Sequence, residues 1–210
     1  MILTSIAFIL LLLICFFVID DLSTDIYALI KKLGPKELTQ KQLEYFRSVP
    51  EKNIAIIVAN WHEHDVIGRM VTGNLKRVEY KNYHFFLGVY PNDIETCIAA
   101  ENAAALSPNV HVVTNSKNGP TSKGQMLNEI VRDIIRKEDE LNIQFDVFLM
   151  HDSEDVMHPL SLKVINAEIQ NTDFLQTPIF SFDRPVREMI GSTYIDEFSE
   201  LHTKDLFIRE

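Results

Sequence analysis

Apolar residues recur along most of the chain in two spacings, one typical of strands and one typical of helices. Four short apolar runs predict strands, at residues 54–59, 83–90, 110–113 and 145–150. Apolar residues every three or four positions predict a helix after each strand, at residues 65–78, 94–106, 122–141 and 160–170. A fifth strand is predicted at residues 174–180 and a further helix at residues 193–201. Because strands and helices alternate, we expect an α/β fold with a mostly parallel sheet and helices on both faces.

The amino-terminal stretch follows a different pattern, because residues 1–19 carry no charge and are almost entirely apolar. As a helix this stretch spans about 28 Å, close to the hydrocarbon thickness of a bilayer. A cleaved signal peptide is the alternative, but no Lys or Arg precedes the apolar run and no small-x-small cleavage site follows it. Residues 1–19 are therefore predicted to form a transmembrane anchor.

Basic residues near the anchor lie only on its carboxyl-terminal side. Five of them occur between residues 20 and 50: Lys31, Lys32, Lys36, Lys41 and Arg47. By the positive-inside rule, the chain after the anchor faces the cytoplasm. Amphipathic helices are predicted at residues 20–33 and 37–47, so we divide the chain into an anchor at 1–19, a membrane-proximal segment at 20–50 and a globular domain at 51–210.

Composition and charge limit the classes of function. The chain has 210 residues, of which 46% are hydrophobic, which suits one folded domain with an appendage. The formal net charge of −10 argues against general nucleic-acid binding, because phosphate recognition favours a basic surface. Cys15 lies in the apolar run and Cys97 in a predicted helix, and the two do not indicate a disulfide framework.

A polar cluster follows each of the first four predicted strands. The clusters are Asn60–Asp65, Pro91–Asp93, Asn118–Gly124 and Asp152–Asp155. Any one of them alone is explained as a turn or a helix cap. In a parallel sheet, however, the carboxyl ends of the strands meet at one edge, and ligands bind beyond that edge. Four polar clusters on the same edge therefore predict a ligand site.

The cluster after the fourth strand follows a run in which five of six residues are apolar, which predicts a buried strand. Asp152 and Glu154 lie two positions apart, so both carboxylates face one side of an extended segment. Such a pair suits Mg²⁺ or Mn²⁺ shared with a diphosphate. The alternative is an acidic cap for the helix that begins near Pro159. That cap accounts for Asp155 and His158 but leaves the other two acids unused.

Lys123 lies at the predicted start of a helix, in a stretch that contains neither a Walker motif nor G-x-G-x-x-G. A helix amino terminus and an adjacent ammonium both favour an anion, so Lys123 is a candidate for a phosphate contact. A solvated lysine after a capping turn is the alternative. Two histidine patterns offer weaker readings: His62-x-His64 as half of a zinc site, and His151-Asp152 as the pair of a metal phosphohydrolase.

Taken in order, these motifs resemble those of a known family. They are Asn60-Trp61-x-Glu63, Tyr90-Pro91-Asn92-Asp93, Gly119-Pro120-Thr121-Ser122-Lys123-x-x-x-Leu127-Asn128, His151-Asp152-Ser153-Glu154-Asp155-x-x-His158-Pro159 and Thr193-Tyr194-Ile195-Asp196-Glu197-Phe198-Ser199-Glu200-Leu201-His202. The order is similar to that of family-2, GT-A-type inverting glycosyltransferases of the membrane-bound, cellulose-synthase-like kind, and more closely to the bacterial phage adsorption protein B group. The resemblance covers residues 20–210 and implies a GT-A (Rossmann-like) fold after one transmembrane helix.

The resemblance implies a donor site for a nucleotide-diphosphate sugar, and a UDP-sugar is expected. Asn60 and Glu63 would belong to the pocket for the nucleobase and its ribose. Asp93 would accept hydrogen bonds from uracil or the ribose, and Lys123 would approach the diphosphate.

Asp152 and Glu154 match the D-x-D motif that holds Mg²⁺ or Mn²⁺ together with the diphosphate. Glu is one methylene longer than Asp, so direct metal contact is expected first of Asp152. In this family the general base is an Asp in a Thr-Glu-Asp-like motif further along the chain, and nothing after Pro159 matches that motif. We therefore expect a carboxyl-terminally truncated protein, with its catalytic base beyond Glu210, that binds a donor without efficient transfer.

The resemblance also implies a cellular setting, in which the chain lies in the bacterial inner membrane with its soluble domain in the cytoplasm. It would make a cell-surface or exo-polysaccharide that phages use for adsorption, with polysaccharide-export components as partners. Two alternatives stay open. One is a non-catalytic, membrane-bound component of polysaccharide export or phage adsorption, and the other is a metal-dependent phosphohydrolase that uses His151 and Asp152.

Overall fold

The computed structural model describes residues 2–33 and 37–181 and four isolated positions, Ile195, Ser199, His202 and Ile208. The chain divides into two compact units, one formed by Met1–Thr39 with Gln176–Glu210 and the other by Gln40–Leu175, which we call the sheet unit. Most residues of the helix predicted at 193–201, and most of the motif that begins at Thr193, lie outside the described residues.

The first unit contains helix α1, Ile2–Lys31, which is long and apolar enough to cross a membrane. None of the residues in its most apolar stretch is buried. The helix predicted separately at residues 20–33 is the continuation of α1, because the backbone hydrogen bonds of a helix pass through Asp20 and Asp21 without interruption.

The sheet unit contains four parallel strands in the order β3-β2-β1-β4. The strands are β1 Ile54–Ala59, β2 Tyr83–Val89, β3 Val110–Thr114 and β4 Val147–His151. The helices are α2 Gln40–Ser48, α3 Ile67–Arg77, α4 Ile94–Ala104, α5 Lys123–Leu141 and α6 Ser161–Glu168, which a 3₁₀ turn at Ile169–Asn171 extends. The predicted parallel α/β sheet is confirmed.

The core lies on both faces of the sheet because successive residues of a strand point to opposite sides. Ile54, Ile56 and Val58 of β1 pack in one cluster with side chains of α3, α4 and α6. Ala55 and Ile57 pack on the other face against α5. Helices on both faces are therefore confirmed.

One strand prediction is wrong, and another is wrong in part. The predicted burial of β4 is wrong on one face: Phe148 and Met150 are 45% and 57% exposed, because α5, the helix on that face, packs over β1, β2 and β3, and β4 lies at the sheet edge beyond them. The strand predicted at residues 174–180 is absent, and Phe174 is 79% exposed. Pro178, in the middle of that segment, has no N–H to donate to a ladder.

Candidate functional site

A cavity of about 340 Å³ opens at the carboxyl edge of the sheet unit. It lies where the strand order reverses, since the chain continues from β1 to β2 and β3 on one side and returns to β4 on the other. The lining residues are Ala59, Asn60, Trp61, Glu63, Tyr90, Pro120, Thr121, Lys123, Asp152, Ser153 and Glu154. Five of the six residues singled out in the sequence thus meet at one cavity, and Asp93 does not line it.

One wall of the cavity is acidic. Asp152 and Glu154 are exposed, while Ser153 between them is buried, so both carboxylates lie on the same side of the loop after β4. Glu63, after β1, adds a third carboxylate. Burial raises the pKa of the Glu63 carboxyl, and the negative charges of Glu154 and Asp152 raise it further. This mutual repulsion gives the wall a field that favours a bound cation.

The amino-terminal turn of α5 lines the cavity beside the acidic wall. Ser122 is the N-cap of this helix, and its side chain accepts a hydrogen bond from the backbone N–H of Gln125. Lys123 follows in the first turn, and its Nζ forms an ion pair with Oδ1 of Asp152. Lys123 is the single basic residue in the described lining of the cavity. The helix amino terminus and the ammonium favour an anion, and the neighbouring carboxylates favour a cation. The cavity can therefore hold an anion and a cation side by side.

The rest of the wall is aromatic. The rings of Trp61 and Tyr90 meet edge to face, with centroids 5.2 Å apart. Gly119 lies against both rings, since a Cβ on it would lie 2.6 Å from Cζ3 of Trp61 and 2.6 Å from Cγ of Tyr90. The Asn92 side chain accepts from Gly119 N at 2.7 Å and donates to Gly119 O at 2.8 Å. The hydroxyl of Tyr90 lies 2.7 Å from Oγ1 of Thr121.

Sequence reasoning assigned no role to Tyr90 or Asn92, although both lie at the end of the second predicted strand. The family resemblance of their motif implies a role for Asp93 alone. The signal that could have found Tyr90 is its position as an aromatic residue with a polar tip at the edge where ligands bind. Its contact with Gly119 depends on a loop that the sequence pattern does not position.

Asp93 is 4% exposed and does not line the cavity, but its side chain contacts the backbone of the cavity wall. Its carboxylate accepts hydrogen bonds from His62 N at 2.6 Å and from Thr96 N at 3.4 Å, the second as the N-cap of α4. Burial by itself raises the pKa of Asp93, but hydrogen bonds from the His62 backbone and from the side chain and backbone of Thr96 lower it below its usual value. The side chain thus fixes the segment between Trp61 and Glu63.

The carboxylate oxygens in the cavity fit a hard divalent cation that completes its coordination shell with ligands from outside the protein. Within the described residues, no group of three or more His, Cys, Asp or Glu side chains is placed to hold an ion by itself. Asp152 and Glu154 offer carboxylate oxygens, and Mg²⁺ in particular is usually bound by one or two carboxylates together with phosphate oxygens and water.

The two histidine patterns gain no support from the geometry. His64 faces Asp65 and Glu95, with nitrogen–oxygen distances of 3.5 and 3.6 Å. The side chain of His151 is 13% exposed and is absent from the described lining of the cavity. Burial lowers the pKa of this imidazole, although the nearby Asp155 and Asp152 charges oppose the shift.

The sheet order, the covering helices and the cavity at the switch point define an α/β domain of the kind that binds ligands at the carboxyl ends of its strands. Residues 50–209 match a family described as "Glycosyltransferase like family 2". The chain belongs to this family, and the family resemblance of the motifs is confirmed.

Among curated proteins, the chain is similar to the Bacteriophage adsorption protein B of Escherichia coli strain K12 and the Bacteriophage N4 adsorption protein B of Escherichia coli O157:H7. Both are 36% identical over 203 residues, a match that covers 91% of this chain and 26% of each relative. The chain therefore spans about a quarter of the length of these relatives.

The chain is similar to several solved structures, two of which follow. A mannosyltransferase from Pyrobaculum calidifontis, in complex with GDP-Man and Mn²⁺, has a TM-score of 0.43 and 11% identity, and the match covers 72% of this chain and 44% of that one. Glucosyl-3-phosphoglycerate synthase from Mycobacterium tuberculosis, in complex with uridine diphosphate, has a TM-score of 0.42 and 15% identity, with 80% and 57% covered.

Proposed function

We propose that the sheet unit binds a nucleotide-diphosphate sugar, with UDP as the expected nucleotide, together with Mg²⁺ or Mn²⁺, as the donor site of an inverting glycosyltransferase. The observation that carries the proposal is the convergence of an acidic pair, one lysine at a helix amino terminus and an aromatic wall in a single cavity of a family-2 chain. The acidic pair suits the ion, the lysine suits the diphosphate and the aromatic wall suits the nucleobase.

In this arrangement, Trp61 and Tyr90 pack against the nucleobase, and Glu63 lies near the base or the ribose. Lys123 and the first turn of α5 approach the diphosphate. Asp152 and Glu154 would hold the ion, which would supply positive charge to offset the negative charge of the diphosphate.

Inverting transfer also needs a base that takes the proton from the acceptor hydroxyl. The three carboxylates of the described cavity wall are all engaged with the donor in this proposal, so the base is left unassigned. We therefore expect the chain by itself to bind a donor without efficient transfer.

The proposed setting is the cytoplasmic face of a bacterial inner membrane. Helix α1 has the length and composition of a membrane span, and the basic residues follow it in sequence. The product would be a cell-surface polysaccharide, made together with export components. The names of the two Escherichia coli relatives support a link to phage adsorption.

Tryptophan fluorescence tests the donor site directly, because the only tryptophan of the chain is Trp61 in the cavity wall. We expect UDP to change the emission in the presence of Mn²⁺ and to bind much more weakly after the metal is chelated. Asp152→Asn should weaken binding about tenfold or more, since a charged ligand to the ion is lost. Asp139→Asn, an exposed acid on α5, is the matched control.

A comparison of UDP with GDP in the same titration tests the expected nucleotide. Binding that does not depend on the metal, or that is unchanged in Asp152→Asn, would contradict the site assignment.

A further inference from the structure

The loop after β4 alternates between inward and outward side chains. Ser153 and Met157 are 3% exposed, and Asp155 between them is partly buried. The alternate positions are exposed: Asp152, Glu154, Val156 and His158. Among the described residues the loop has no strand partner beyond His151, and side-chain hydrogen bonds reach each of its inward positions.

Asn60 holds the first inward position. This residue is 1% exposed, and its amide nitrogen donates to the backbone oxygens of Val58 and Gly88 at 3.1 and 2.9 Å. Its amide oxygen accepts the hydroxyl hydrogen bond of Ser153 at 2.9 Å. One buried amide therefore joins β1, β2 and the loop.

Asn74 holds the other two inward positions from outside the cavity. It lies on α3 and is 1% exposed. Its amide nitrogen donates to Asp155 O at 2.9 Å, and its amide oxygen accepts from Met157 N at 2.9 Å. The carboxylate of Asp155 in turn accepts from Asp152 N at 2.9 Å. A hydrogen-bond path thus leads from α3 to the backbone of the first acid.

We propose that Asn74 is a positioning residue for the donor site, which fixes the acidic loop so that both outward carboxylates face the cavity before an ion binds. The inference rests on the proposed function. A loop that is ordered in advance lowers the entropic cost of binding the ion. Because Asn74 does not line the described cavity, its effect on the ion passes through Asp155 and Met157.

The matched control is Asn166 on α6, a second fully buried asparagine that bridges two backbone groups. Its amide oxygen accepts from Lys52 N at 3.1 Å and its amide nitrogen donates to Pro50 O at 3.0 Å, in the segment before β1. Asn74→Ser and Asn166→Ser should therefore lower the thermal stability similarly. Only Asn74→Ser should weaken Mn²⁺ binding, by about tenfold for two lost hydrogen bonds, as measured by electron paramagnetic resonance at saturating UDP.

Backbone amide exchange provides a readout that needs no ligand. In Asn74→Ser the amides of Asp152 and Met157 should exchange faster than in the unmodified chain, and in Asn166→Ser they should not. If the unmodified chain does not bind Mn²⁺ with UDP, the proposed function fails, and these two amides alone decide whether Asn74 positions the loop.

Two results would overturn the inference: unchanged exchange and unchanged Mn²⁺ affinity in Asn74→Ser, or equal weakening in Asn166→Ser. If Asn74→Ser does not fold, Ser153→Ala replaces it, since it removes only the hydroxyl that Asn60 holds. Faster exchange of the Asp152 amide in that variant supports a loop fixed by buried amides, and unchanged exchange contradicts it.

Discussion

Lys123, in the first turn of α5, forms an ion pair with Asp152 in the loop after β4. The two side chains are 49% and 57% exposed, so water and salt screen the pair and its strength is modest. The ammonium occupies one of the carboxylate oxygens that the proposed ion would need. The same residue is the expected partner of the diphosphate, so Lys123 should oppose the free ion and favour the nucleotide.

Lys123→Met separates these two effects. We expect Mn²⁺ alone to bind about two- to fivefold more tightly, because the variant frees Asp152 from an exposed ion pair. UDP should bind more weakly in the presence of Mn²⁺, because a cation near the diphosphate is lost. Electron paramagnetic resonance measures the first affinity and Trp61 fluorescence the second. Lys117→Met, an exposed lysine outside the described lining, is the control, and equal changes in both variants would contradict the prediction.

Gly119→Ala tests the aromatic wall. The new Cβ would lie 2.6 Å from atoms of Trp61 and Tyr90, so the loop that carries Pro120 and Thr121 must move. Such overpacking typically costs about 1–3 kcal/mol, and we expect UDP to bind at least tenfold more weakly.

The control for this variant is Gly124→Ala, because a Cβ on Gly124 meets nothing within 4 Å. In α5 this change should leave UDP binding unaltered and stabilise the helix by up to about 1 kcal/mol. A Gly119→Ala variant that binds UDP like the unmodified chain would show that the wall does not contact the nucleotide.

His84 and His111 make the stability of the sheet depend on pH. They lie on neighbouring strands, with Nδ1 of His84 2.9 Å from Nε2 of His111. Burial, and then the neighbouring His111, lower the pKa of His84 from 6.5 to about 4. The unfolded chain therefore binds this proton at a higher pH than the folded chain, so the stabilisation is complete above pH 6.5 and is lost as the pH falls towards 4.

Thermal unfolding between pH 7.5 and pH 5 measures this dependence. The melting temperature should decline on acidification, and His84→Gln should decline less because the buried imidazole is absent. Glu140 on α5, an electrostatic neighbour of His111, keeps its charge over this range, because a hydrogen bond from Lys137 lowers the pKa of its carboxyl. His64→Gln, at the surface, is the control, and an identical decline in His84→Gln would contradict the assignment.

Gly88→Ala tests how closely β2 approaches α5. A Cβ at this position would lie 2.7 Å from Cδ1 of Ile130 and 2.7 Å from Sδ of Met126. We expect a loss of about 1–3 kcal/mol in the free energy of unfolding, measured with urea. Ile130→Val removes the methyl group that meets the new Cβ and should recover part of that loss in the double variant. If it recovers nothing, the close contact with α5 is not the cause.

The order of strands and helices could be predicted from the sequence because period-2 and period-3.6 patterns are local. β1 shows this well, since it begins and ends where its apolar run does. The edge position of β4 could not be predicted, because an apolar run does not reveal how many neighbours a strand has. The segment at residues 174–180 has an apolar pattern too, but a strand forms only when another strand pairs with it.

The sequence by itself determined that Asn60, Glu63, Lys123, Asp152 and Glu154 follow successive elements of one parallel sheet, and parallel strands bring such residues to one edge. The tertiary structure decided what each polar group contacts there. The buried carboxylate of Asp93 accepts a hydrogen bond from His62 N, while Tyr90 lines the cavity. The reason is that hydrogen-bond partners across the fold are distant in sequence. Asn74 and Met157, 83 positions apart, meet only when α3 packs beside the loop after β4.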